Sequence, residues 1–118
     1  MRPALVPTWL CVASSHSLLG TLAGFALHVR LGLGHWPKPM WENYTTPLTD
    51  AHMAVFVVVA FVTVYVAPPL WLVLVCIPRF RGGWRIHLLQ LLIYGVGWGI
   101  IGLWCLWDPF QFLQWLAD

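Results

Sequence analysis

Three stretches of this chain carry no Asp, Glu, Lys or Arg: those between Arg2 and Arg30, between Asp50 and Arg79, and between Arg85 and Asp108. Each is longer than the roughly 20 apolar residues that cross a bilayer as a helix. The expected fold is therefore all-α and integral to a membrane, with three transmembrane helices. Composition agrees, because 60% of residues are apolar and 8% charged, whereas charged side chains make up about a quarter of a soluble domain. Three spans, one loop and a short tail use up all 118 residues. Residues 1–118 thus form a single domain, and no soluble domain remains to house an active site.

The first span reads as Thr8–Val29, ended by Arg30 and the Gly32, Gly34 and Pro37 that follow. Its uncharged run outlasts the h-region of a signal peptide, so a retained helix is expected despite the small residues around Ala13–Ser17. The second span, Ala51–Ile77, starts after Asp50 as N-cap. Its Val-rich stretch favours a strand by propensity, and the length of the uncharged run decides for a helix. Pro68-Pro69 removes two backbone donors within it, which predicts a kink or break whose freed carbonyls face protein or water. The third span is Ile86–Trp107. Asp108-Pro109 then reads as an N-cap and first helical residue, opening a short amphipathic helix over residues 109–117 that lies in the membrane interface. Gln111, Gln114 and Asp118 would share its polar face, and Phe110, Leu113 and Ala117 its apolar one.

Positive charges orient the chain. With the N-terminus cytoplasmic, the inner side holds Arg2, Arg79, Arg81 and Arg85, and the outer side holds Arg30, Lys38 and the acids Glu42, Asp50, Asp108 and Asp118. The positive-inside rule favours this N-in, C-out arrangement, in a bacterial inner membrane with a periplasmic C-terminus. Trp9 and Trp84 fit an inner aromatic belt, and Trp36, Trp41, Trp104, Trp107 and Trp115 an outer one. Small residues mark helix-packing faces: Gly20 and Gly24 on the first span, and Gly95, Gly99 and Gly102 on the third.

Five histidines are the candidates for chemistry. His28 and His52 lie at similar depth on neighbouring spans near His35. They could supply two axial ligands to a b-type haem or, with Glu42 or Asp50, hold a metal; interfacial hydrogen bonding is the simpler role. In the other half of the membrane His87, Gln90 and Tyr94 line one face of the third span, with His16 at comparable depth on the first. Polar groups in hydrocarbon face protein, cofactor or water, so this set could hold a quinone head or ligate a (bacterio)chlorophyll; interhelical hydrogen bonding is again the simpler role.

The three cysteines imply no internal disulfide, and Asn43-Tyr44-Thr45 matches the short glycosylation pattern. No acidic residue lies inside a span, which argues against an ion-driven transporter. No Cys-x-x-Cys, Ser-centred elbow, His-Glu-x-x-His or phosphate loop occurs, so no catalysis is expected of the chain alone. A charge of +2 with no basic run gives no reason to expect nucleic acid. In size, helix number and N-in orientation the chain is similar to the three-helix anchor subunits of succinate dehydrogenase. It lacks their Ser-x-x-His-Arg stretch and Asp-Tyr pair, so the similarity is architectural only.

The expected function is that of a non-catalytic accessory subunit, contacting lipid and other integral membrane subunits of an energy-transducing complex, respiratory or photosynthetic. The alternative is a cofactor-binding electron-transfer subunit carrying haem, a chlorophyll-type pigment or quinone. A small oligomeric channel or transporter would need a polar stripe through the full depth of the membrane, and the polar residues instead cluster near the two faces.

Overall fold

The computed structural model describes residues 3–40, 43–108 and 110–117. Arg2, Trp41, Glu42, Pro109 and Asp118 lie outside them, and with them the inner charge, belt tryptophan, metal ligand, first helical position and polar-face residue expected there. A 3-10 turn, Pro3–Leu5, leads into α1 (Val6–Leu33). The second span comprises α2 (Pro47–Phe61), a π-helical turn (Val62–Val66) and α3 (Ala67–Cys76); α4 (Trp84–Trp107) forms the third, and α5 (Phe112–Ala117) closes the chain. Three helices are long and apolar enough to cross a membrane, and the whole measures 54 × 28 × 22 Å.

α1 is the central helix. Its buried residues Thr8, Cys11, Val12, Ser15, Leu18, Leu22, Phe25, Ala26 and Val29 recur at helical spacing and pack against α2, α3 and α4. The outward faces of the other spans remain apolar: Leu72, Leu92 and Leu106 are all exposed. A contiguous surface of that kind is unsuited to water and suited to lipid.

Beyond shifts of one or two residues at the starts of α1 and α4 and at the end of α3, helix ends differ from expectation in three places, each for a local reason. Arg30 and Gly32 stay helical, and α1 stops at Gly34, whose φ of 78° places it in the left-handed region while its N–H donates to the Arg30 carbonyl at 3.0 Å. The N-cap of α2 is Thr46 rather than Asp50. The Thr46 hydroxyl accepts from the Thr49 N–H at 3.1 Å, the Thr49 hydroxyl accepts from the Thr46 N–H at 2.7 Å, and Pro47 fills the first helical position. Asp50 falls inside the first turn, where its charge still complements the helix dipole.

The third difference concerns the C-terminal helix, which begins at Phe112 rather than at residue 109. Asp108 ends α4 instead, with its N–H donating to the Trp104 carbonyl at 2.7 Å, and φ values of 23° at Asp108 and 54° at Gln111 turn the chain before α5 can start. The Asp108 carboxylate nevertheless caps α5 from a distance, accepting from the Gln114 N–H at 3.0 Å. Gln111 and Gln114 are exposed as expected. The apolar face is different: Phe112, fully buried, is the residue that docks α5, meeting Phe25 edge-on at 5.8 Å in a core of Leu22, Ala26 and Val29. Phe110 stacks on Trp36 at 4.2 Å, and Ala117 is exposed.

Pro68-Pro69 breaks the second span's hydrogen-bond ladder as expected, through one wide turn. The Ala67 N–H donates to the Val62 carbonyl, five residues back. In that register the Thr63 carbonyl would next receive the N–H of residue 68, which proline lacks. The Tyr94 hydroxyl donates to it instead, at 2.8 Å, from α4. Thr63 is fully buried, and its own hydroxyl donates to the Ser14 carbonyl of α1 at 3.0 Å. The break is thereby sealed against both neighbouring spans. Tyr94→Phe is expected to lower stability by about 1–2 kcal/mol by orphaning this carbonyl. The measurement is the melting temperature in detergent; an unchanged value rules out Tyr94 as a support of the turn.

Candidate functional site

The expected grouping of His16 with His87, Gln90 and Tyr94 does not form, because depth along a helix does not fix direction around it. His16 is exposed, with its ring Nδ1 3.3 Å from the Ser15 hydroxyl of its own helix. Tyr94 turns to Thr63, as described. His87 and Gln90 do meet, and they join two residues that the sequence did not single out, Thr8 and Trp71.

Gln90 is fully buried at the centre of this network. The Gly82 N–H donates to His87 Nε2 at 3.0 Å, so in the neutral ring Nδ1 carries the proton and donates to Gln90 Oε1 at 3.0 Å. Trp71 Nε1 donates to the same oxygen at 3.0 Å. Gln90 Nε2 donates to the Thr8 hydroxyl at 2.9 Å, and that hydroxyl donates to the Leu5 carbonyl at 2.8 Å. The lone pair and proton of His87 and both acceptor sites of Gln90 are thus occupied by protein. A quinone carbonyl or pigment metal could engage them only by breaking bonds already made. The network ties α1, α3 and α4 together where a soluble protein would use apolar packing.

At the other end of the bundle the polar groups are not satisfied. His28 of α1 and His52 of α2 lie with ring centroids 4.9 Å apart at an interplanar angle of 42°. Phe25 stacks on His52 at 6.0 Å, and the Tyr44 ring is 6.2 Å from His28. His28 Nε2 and His52 Nδ1 are both buried without a hydrogen-bond partner. Such atoms are uncommon in folded proteins and call for an explanation, because each carries a desolvation penalty of about 1–3 kcal/mol. A cavity of about 310 Å³, which neither histidine lines, has a wall that includes the flanking Phe25 and Tyr44 together with Thr49, Asp50, Met53 and Trp115. Tyr44 reaches this position by lying over Gly32, where a Cβ would collide with its hydroxyl.

Haem does not fit between these rings. Two imidazoles on opposite faces of one iron, each about 2 Å from it, hold their ring centres more than about 6 Å apart, and the observed separation is 4.9 Å. Both unpaired nitrogens are enclosed, so a macrocycle cannot reach either one. Among the described residues no three His, Cys, Asp or Glu side chains converge on a metal-sized position. Asp50 is exposed, and His35 lies in the exposed loop after α1 with its ring Nδ1 2.9 Å from the Trp36 carbonyl.

The glycines behave unlike their spacing pattern. A Cβ built on Gly20, Gly24, Gly95, Gly99 or Gly102 meets nothing within 4 Å, so neither glycine face is used inside this chain. The close approach of α1 and α4 occurs at Gly97, buried against Ser15, where an added Cβ would strike the Ser15 side chain and come within 3.3 Å of the His16 ring. Of the cysteines Cys11 is buried, Cys76 and Cys105 are exposed, and all three are free thiols. No protein-family model, no curated protein and no solved structure matches the chain.

Proposed function

We propose that this chain is a non-catalytic accessory subunit that binds other integral membrane subunits of a larger complex through the outward glycine faces of α1 and α4. The observation that carries the proposal is the open space at Gly20, Gly24, Gly95, Gly99 and Gly102. Glycine costs a helix about 1 kcal/mol relative to alanine, and lipid chains gain nothing from a bare backbone that they would not gain from a methyl. Another helix does gain, because a small-residue face admits close approach.

Arg79, Arg81 and Arg85 at one end of the spans, with Asp50 and Asp108 at the other, support a cytoplasmic N-terminus and a periplasmic C-terminus in a bacterial inner membrane. A respiratory or photosynthetic complex is the proposed host, on the architectural similarity to three-helix anchor subunits.

The test is purification from native membranes in mild detergent, with size analysis and mass spectrometry of the peak. The wild-type chain is expected to migrate in an assembly containing other membrane proteins. Gly24→Leu and Gly99→Leu are expected to migrate alone with an unchanged melting temperature. A wild-type chain that runs as a monomer or homo-oligomer sinks the proposal.

A second reading rests on the 310 Å³ cavity, whose wall includes Phe25 and Tyr44: a cofactor subunit that seats a quinone head against these rings. Quinone detected by mass spectrometry in the pure chain, and lost in Tyr44→Ala, supports it; a chain free of quinone and of visible absorption removes it.

A further inference from the structure

The end of the bundle formed by the 3-10 turn and the α3–α4 connection carries arginine charge that no carboxylate of those two segments balances. The sequence has no Asp or Glu before Glu42 and none between Asp50 and Asp108, so neither segment that builds this end contributes a carboxylate. Both contribute to a cavity of about 670 Å³, whose wall includes Leu5, Trp9, Arg79, Arg81, Gly82 and Gly83. Arg79 extends over the Phe80 ring at 5.9 Å, and Arg85, one turn further on, over Trp84 at 5.6 Å. Aromatic contacts of this kind hold a guanidinium without neutralising it.

The same cavity has an apolar wall in Leu5, Trp9 and Ile86. A ligand complementary to both walls is an anion joined to a hydrocarbon. We infer that the cavity is a binding site for one anionic phospholipid, whose phosphate lies between Arg79 and Arg81 and whose glycerol and upper acyl region lie against Trp9 and Leu5. Guanidinium forks match phosphate oxygens, and basic pockets between spans recognise acidic head groups. Gly83, the N-cap of α4, offers no side-chain cap, which adds the positive end of a 24-residue helix dipole to the same field.

The site also gives the His87 network a purpose. The Gly82 N–H held by His87 Nε2 at 3.0 Å anchors the turn that carries Arg79 and Arg81, and Gln90 and Thr8 anchor His87 in turn. His87 is a positioning residue here, acting on the arginines through the Gly82 backbone. This site lies at the opposite end from the His28–His52 pair and is independent of the glycine faces, so it stands whether or not the chain is an accessory subunit.

The experiment is native mass spectrometry of the full chain in detergent titrated with phosphatidylglycerol or phosphatidylcholine of matched chains. Wild type is expected to retain one phosphatidylglycerol about 10- to 30-fold more tightly than phosphatidylcholine, from roughly 1 kcal/mol per arginine. Arg79→Gln and Arg81→Gln should each lose a large part of that preference and the double variant all of it, with helical content by circular dichroism unchanged. Arg30→Gln, at the other end, should keep it. Millimolar inorganic phosphate should not compete, because it lacks the acyl part. His87→Ala should weaken retention while leaving both arginines in place. No preference in wild type, a preference that survives the double variant in a folded protein, or displacement by inorganic phosphate would each overturn the inference.

Discussion

Replacing Gly97 with leucine is expected to separate α4 from α1. A Cβ at this position already strikes the Ser15 side chain, and Ser15 is fully buried with its hydroxyl directed 3.3 Å from the Val12 carbonyl, so it has no free direction in which to yield. Overpacking a tight site costs about 1–3 kcal/mol when side chains can adjust, and here the obstacle sits on a helix at its closest crossing, so about 3 kcal/mol or more is expected. Separation would also strain the bond from Gln90 to Thr8. The readout is a loss of the cooperative thermal transition in detergent, with helical circular dichroism retained because each span, apart from the Thr63 carbonyl, satisfies its own backbone. Gly95→Leu and Gly99→Leu, two residues to either side, should leave that transition where it is. If they destabilise the isolated chain as much as Gly97→Leu, the crossing point has been misplaced.

Phe112→Ala is expected to release α5. The ring is fully buried against Phe25 and Trp115, with centroids at 5.8 Å in both cases. α5 has only six residues, far too few to be helical alone, so it depends on docking, in which fully buried Phe112 is joined by the partly buried Leu113, Trp115 and Leu116 and by the Asp108 cap. Truncating a buried phenylalanine costs about 3–5 kcal/mol. Limited proteolysis after residue 108 should become fast in the variant and stay slow in wild type; equal rates would show that Trp115 and Leu116 suffice. Asp108→Asn, which keeps an acceptor for the Gln114 N–H, should show only a minor change.

Long-range physics was readable from the residues, and azimuth was not. The charge-free runs located three spans because the lipid solvent admits few alternatives. Pro68-Pro69 announced both the break and the need to shelter its carbonyls, although Tyr94 as the donor emerges only when α4 is placed beside the π-helical turn. Spacing identified which helix faces are smooth. It could not say which smooth face meets a partner, and Gly97, lying roughly 200° around the helix from Gly95, has no small neighbour four residues away to draw attention to it. His16 and Thr8 pose the same problem: each is at a depth suited to an inward polar role, and only the crossing of α1 and α4 selects Thr8.

Local signals were present and outweighed by others. Thr46-Pro47-Leu48-Thr49 is a complete capping sequence, but Asp50 stands nearer the apolar run. Asp108-Pro109 has the form of a helix start, whereas the positive φ at Asp108 and at Gln111 moves that start to Phe112. The unpaired nitrogens of His28 and His52 could not be read at all, since a sequence shows which polar groups share a depth and not which of them go without a partner.

The π-helical turn at Val62–Val66 makes the three spans mechanically unequal. α1 is a continuous rod of 28 residues, and a rod meets a thinner bilayer by tilting as a whole. The second span is two shorter rods joined where the ladder has already been opened, a point at which helices bend with little further loss. Changes in bilayer thickness therefore resolve into flexure at Thr63, against the fixed posts of Ser14 and Tyr94, so that one span absorbs the deformation and the ends of the other two keep their registry with the membrane surfaces.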